Sequence, residues 1–88
     1  MCRNIKPLFN FEPPATEDEV REAALQFVRK ISGFRKPSKA NEATFNAAVG
    51  AIAAISASML NALETNAPPK ERAAEAAKAR ARAAVRYK

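Results

Sequence analysis

The residues best suited to chemistry lie in one short stretch, which we call the basic turn. Five of them are cations with no acidic residue among them, so the stretch has a local charge of +5 in a chain of net charge +6. Cations attract phosphate groups, and an aromatic side chain among them could stack on a base. The basic turn is therefore predicted to bind an anionic partner, such as a nucleic acid or another polyanion. Its members are Arg29, Lys30, Phe34, Arg35, Lys36 and Lys39.

Two other interpretations of the basic turn stay open at this point. It could be a solvated surface in which Phe34 packs into the core as a plug at the helix end, because charge runs often mark solvent-exposed surface alone. It could also belong to a helix-turn-helix DNA reader. That motif is disfavoured, because residues 33–40 make a turn longer than the usual three or four residues.

A second excess of positive charge lies near the end of the chain. Residues 70–88 contain seven cations against Glu71 and Glu75, a net charge of +5. If this segment and the basic turn fold onto one face, they form a single positive patch. If they lie apart, each is expected to be a solubilising surface.

The residue types that catalysis most often needs are scarce. Histidine is absent, which removes the commonest general base and metal ligand. The single cysteine, Cys2, has basic neighbours in Arg3 and Lys6 that favour a reactive thiolate. Because no histidine is present to serve as its base, a packed or exposed small residue is the simpler interpretation of Cys2. The chain is predicted to be no enzyme and to hold no cofactor or metal.

Cysteine usage and hydropathy point to the cytoplasm. One cysteine cannot make a disulfide framework, and the N-terminal residues lack the apolar run of a signal peptide. Residues 43–63 carry no charge and are long enough to cross a bilayer. Polar residues interrupt them, however, and their large apolar residues follow one stripe, as in a helix buried on one side. No membrane contact is predicted.

The N-terminal part of the chain predicts an extended strap followed by a well-marked helix. Prolines prevent a continuous helix in residues 1–15, so we expect a strap that lays Phe9 and Phe11 onto the helical body, with no second strand in view to pair with it. Thr16 and Glu19 have the spacing of a capping box, and Gly33 suits a helix end. Helix one is therefore predicted over residues 17–32, with the buried stripe Val20, Ala24, Phe27, Val28 and Ile31.

Two further helices are predicted, over residues 39–65 and 69–86. Ser38 or Asn41 can cap helix two, and a line of small residues around Gly50 would let another backbone approach it. Pro69 suits the first position of helix three, which is rich in alanine and has only Val85 and Tyr87 as large apolar anchors. The apolar stripe that would make helix two the centre of the core is Phe45, Val49, Ile52, Ile55, Met59 and Leu63.

These elements predict one all-α domain over residues 1–88, a three-helix bundle with an extended proline-containing N-terminal strap. The preferred function is a non-enzymatic binding protein that engages an anionic partner through the basic turn. The alternative is a protein-interaction or self-assembly module that packs through helix two or helix three onto a protein partner or a second copy.

Several separate stretches of the sequence resemble one family of small, mainly bacterial proteins known only as a domain of unknown function. The likeness covers essentially the whole chain and implies a compact, mostly helical protein, with no known activity or functional residues to carry over. The stretches are residues 1–5 (MCRNI), 10–16 (NFEPPAT), 24–33 (ALQFVRKISG), 37–41 (PSKAN) and 67–69 (APP).

Overall fold

A computed structural model describes residues 5–86 of the 88-residue chain. Helices make up 66% of the structure, which confirms a mostly helical fold with three α-helices. Cys2 lies outside the described residues, as do Tyr87 and the side chain of Val85. In chain order the elements are β1 (Phe11–Glu12), α1 (Glu17–Ser32), a 3₁₀ turn (Lys39–Asn41), α2 (Glu42–Ala62), β2 (Lys70–Glu71) and α3 (Arg72–Arg86).

Helix α1 has the bounds and both end signals that its sequence predicts. The Glu19 amide donates to the Thr16 hydroxyl at 3.2 Å, and the Thr16 amide donates to the Glu19 carboxylate at 3.0 Å, which completes the capping box. Gly33 follows in the left-handed conformation, with φ of 77°, and its amide donates to the carbonyl oxygen of Arg29. These bonds satisfy backbone groups that the helix itself leaves unpaired at its ends.

The core lies between α1 and α2, which form an antiparallel hairpin. Ala24 and Val28 of α1 pack with Phe45 and Val49 of α2. Val20, one turn earlier in α1, is also buried, and it lines a cavity together with residues near the end of α2. The buried set is small, and alanines occupy much of α2.

The predicted burial is wrong for half of the apolar stripe. The exposed fractions are 44% for Phe27, 68% for Ile31, 74% for Ile55, 53% for Met59 and 47% for Leu63. The sequence left open whether the neighbour of helix two is the third helix or another subunit. Within residues 5–86, however, α1 packs extensively on α2, and no comparable packing joins α3 to either helix. We call these five residues the apolar face; the three-helix bundle stays a prediction.

A short parallel strand pair, which the sequence does not predict, joins the strap to the start of α3. Phe11 pairs with Lys70 and Glu12 with Glu71, and the Lys70 amide donates to the carbonyl oxygen of Asn10 at 2.7 Å. The Asn10 side chain also donates to the carbonyl oxygen of Pro68 at 3.1 Å. The strap therefore has a partner strand, and α3 begins at Arg72 rather than at residue 69.

Helix α2 also departs from its prediction at both ends. Neither Ser38 nor Asn41 caps the helix through a side chain. Instead the side-chain amide of Asn41 donates to the Ser38 hydroxyl, and the 3₁₀ turn leads into the helix. Leu63 is extended, so the helix ends at Ala62. Among the described residues, the 39–62 segment is the one helix long and apolar enough to cross a membrane. This criterion rests on length and composition alone, and 11% of the apolar window is buried, so much of the apolar surface of α2 is exposed.

Candidate functional site

The basic turn connects α1 to α2, and most of its side chains are exposed. The left-handed Gly33 ends α1, and the Phe34 amide then donates to the Ser32 hydroxyl at 3.1 Å, which shapes the beginning of the turn. Arg29 is half-buried, and its Nε is shielded from solvent without a hydrogen-bond partner among the described residues. The exposed members are Lys30, Phe34, Arg35, Lys36 and Lys39.

Phe34 does not plug the core, because 43% of its surface is exposed. The plug role of Phe34 is therefore wrong, while the interpretation of the turn as a solvated surface stays open. The ion pairs within residues 5–86 join Glu19 to Arg72 and Glu75 to Lys78, so no carboxylate there pairs with a cation of the basic turn. The turn thus presents an exposed aromatic ring among cations that no salt bridge neutralises.

A second cluster, which we call the clasp, ties the start of α1 to the start of α3. The Arg72 guanidinium donates to both oxygens of the Glu19 carboxylate, each at 2.9 Å. Its Nε donates to the carbonyl oxygen of Pro13 at 2.8 Å. A paired fork of this kind fixes geometry as well as charge, because both hydrogen bonds must align at once. Arg72 therefore fixes α3 relative to α1 and to the segment that precedes it.

The clasp changes the acidity of both partners. Hydrogen bonds from Arg72, followed by the backbone hydrogen bond from Thr16, lower the pKa of Glu19 from 4.5 to about 2. The same hydrogen bonds raise the pKa of Arg72. Each partner holds the other in its charged form. Glu19 thus belongs both to the capping box of α1 and to the attachment of α3.

The Phe11 ring lies beside the clasp and close to two cationic side chains. The Lys70 ammonium lies 5.3 Å from the centroid of the Phe11 ring, and the Arg72 guanidinium carbon lies 5.5 Å from it. Both distances are within the range of cation–π attraction. A groove of about 310 Å³ opens beside this ring between the strap, α1 and α3. Its charged lining residues are Lys6, Glu19, Lys70, Arg72, Glu75 and Arg82.

The structure separates the two basic regions that the sequence could not place. The clasp and groove lie at the beginning of α1, whereas the basic turn follows the end of that helix. Ser32 lies thirteen positions after Glu19, so the two ends are about 20 Å apart along the helix. The strap joins the α3 cations in the groove, and no basic-turn residue lines it.

Sequence reasoning missed Lys6, Phe11, Lys70, Arg72 and Arg82 as one cluster. The available signal was the excess of cations in residues 70–88, but nothing in the sequence indicated their partner. Glu19 already had a complete explanation as a capping residue, and it lies 53 positions from Arg72. Within residues 5–86, no three side chains of the types His, Cys, Asp and Glu converge to hold a metal ion.

Residues 1–78 match a family model described as "Uncharacterized conserved protein (DUF2277)". The chain belongs to this family. Neither curated proteins nor solved structures gave a match. The DUF2277 match includes the basic turn and both partners of the clasp, while Arg82 lies beyond it. The expected resemblance to an uncharacterised family is thus confirmed, and the family description carries no activity.

The clasp predicts a specific dependence of stability on pH. Because folding lowers the Glu19 pKa from 4.5 to about 2, the contribution of Glu19 is complete above pH 4.5 and is lost as pH falls towards 2. The free energy of unfolding should therefore fall less steeply over this range in Glu19→Gln than in the wild type. Urea denaturation followed by circular dichroism measures both slopes.

A matched control for that experiment is Glu22→Gln, which removes an exposed carboxylate of the same helix that makes no bond to Arg72. This variant should keep the steep acid dependence of the wild type. Equal slopes for Glu19→Gln and the wild type would contradict the assigned role of Glu19.

Proposed function

We propose that the protein is a non-enzymatic binding protein that associates through its apolar face, and that the occupant of this face is a second copy of the chain. The observation that carries the proposal is the exposure of Phe27, Ile31, Ile55, Met59 and Leu63, between 44% and 74% each. Soluble monomers rarely expose contiguous apolar patches of this kind, and such patches commonly mark interaction sites.

Three of the exposed apolar residues, Phe27, Ile55 and Met59, lie on one side of the hairpin. Phe27 precedes the buried Val28 by one position, and Ile55 and Met59 each precede a half-buried residue of α2 by one position. One position is a rotation of about 100°. Because the helices are antiparallel and face each other, equal rotations turn these side chains to the same side.

Charge at the two ends of the hairpin favours a second copy as the occupant. Glu17, Asp18 and Glu22 are exposed near the start of α1, and the basic turn follows its end. When two copies meet face to face with their hairpins antiparallel, these three carboxylates of each copy lie near the basic turn of the other. A two-fold interface of this kind is complementary to itself.

The dimensions of the face also suit a dimer. Helix α2 has 21 residues, and two adjacent helices make a surface about 32 Å long and about 20 Å wide, on the order of 640 Å². Standard interfaces bury about 800 Å² on each partner. The proposed contact surface consists of large apolar side chains and not of the line of small residues around Gly50. Among residues 5–86, no neighbouring atom lies within 4 Å of the position that a Cβ would occupy at Gly50, so no backbone packs closely there.

The proposal predicts a dimer whose affinity depends on Ile55. Ile55→Glu places a charge in the middle of the face and should weaken association by about 2 kcal/mol, or roughly thirtyfold. Ala54→Glu adds the same charge at the neighbouring exposed position, which points to the other side of the hairpin, and should leave association unchanged. Light scattering over a hundredfold range of concentration measures both variants. A strict monomer, or equal effects of the two substitutions, would overturn the proposal.

A second candidate function is the binding of an anionic partner, such as nucleic acid, through the basic turn. The specific observation in its favour is that Phe34 is 43% exposed among cations without a salt-bridge partner in the described residues. An exposed ring can stack on a base while the cations contact phosphates. Such binding would use the end of the hairpin rather than the apolar face.

This second candidate predicts a strong dependence on salt. If the five cations of the basic turn contact phosphates of duplex DNA, the logarithm of affinity should fall with the logarithm of salt concentration with a slope of about −4 to −5. Arg35→Gln should make the slope shallower by about 0.9. Lys78→Gln is the matched control, because Lys78 already pairs with Glu75. Fluorescence anisotropy measures the slopes, and absence of DNA binding at low salt would remove this candidate.

A further inference from the structure

We propose that the groove beside Phe11 binds a small organic phosphate, with the phosphate held by Lys6, Lys70 and Arg82 and the organic part lying on an apolar floor. The groove encloses about 310 Å³ between the strap, the strand pair and α3. This site is separate from the apolar face and from the basic turn, so it stands independently of the functions proposed above.

Some charged side chains that line the groove already have hydrogen-bond partners within residues 5–86, and others do not. The Nε of Arg72 donates to the carbonyl oxygen of Pro13, and its two terminal nitrogens donate to the Glu19 carboxylate. The Glu19 carboxylate is occupied in turn by Arg72 and Thr16, and the Glu75 carboxylate accepts from Lys78 at 3.2 Å. Both acids of the groove are therefore already paired with donors.

The free groups are all cations. The side chains of Lys6, Lys70 and Arg82 make no hydrogen bond or salt bridge to any residue within 5–86, and the Lys70 ammonium lies over the Phe11 ring. Three uncommitted cations facing one groove leave it with a positive charge that its own acids do not balance. An anionic ligand would supply that balance.

The geometry favours a phosphate monoester over a bare anion or a polymer. A phosphate group offers three strong acceptor oxygens and close to two negative charges at neutral pH, so it can accept hydrogen bonds from cationic side chains that line the groove. The remaining lining is largely apolar and includes Leu8, Phe11, Ala76 and Ala79, which can cover an organic substituent. A volume of about 310 Å³ is at the lower end for small-molecule sites.

Phenyl phosphate is the probe that tests this site, because it combines the charged group with a compact apolar part. In NMR titrations of the whole chain, the amide signals of Phe11 and Lys70 should shift. Lys70→Gln should weaken binding about tenfold by removing one charge-assisted hydrogen bond. Its backbone amide, which donates to Asn10, is retained. Arg82→Gln, in an exposed part of α3, is a second variant with the same expected effect.

Three comparisons decide the outcome. Lys36→Gln removes an equal charge from the basic turn and should leave the affinity unchanged; an equal loss in that variant would show that only net charge matters. Inorganic phosphate should bind about tenfold more weakly than phenyl phosphate, and equal affinity would overturn the assignment of an organic ligand. If phenyl phosphate moves no signal at the groove, the site itself is refuted.

Discussion

The paired hydrogen bonds between Glu19 and Arg72 are the constraint on which the arrangement of this chain depends. They join the first turn of α1 to the first residue of α3, while Arg72 also bonds to the carbonyl oxygen of Pro13. Among the described elements, α3 has no extensive packing on α1 or α2, so the clasp and the strand pair hold it in place. An ion pair that is partly exposed contributes little by charge alone, but its fork geometry fixes orientation.

Because α3 is attached at its first residue, the hairpin of α1 and α2 stays partly uncovered. A third helix packed along the hairpin would bury Ile55 and Met59, whereas here 74% and 53% of their surfaces are exposed. The same attachment draws Lys70 and Arg82 towards the strap and away from the basic turn. The position of α3 is therefore consistent with an open apolar face, and with a cationic groove that lies apart from the basic turn.

Local signals in the sequence predict the local parts of this fold. The capping box at Thr16 and the stop at Gly33 define α1, because each depends on residues within one helical turn. The strand pair and the clasp depend on contacts across more than fifty residues, which periodicity and capping rules cannot detect. Hydrophobic spacing identified the apolar stripe of α2 but not the element that packs on it. Spacing shows which residues share a face of a helix and does not show what packs against that face.

Amide hydrogen exchange in Arg72→Lys tests most directly whether the clasp holds α3. Lysine keeps the positive charge but lacks the planar fork that bonds both carboxylate oxygens. The account predicts faster exchange at the Lys70 amide and throughout α3, with the amides of Val28 and Val49 in the hairpin core unchanged. Unchanged protection in α3, or an equal loss of protection in the hairpin, would contradict it.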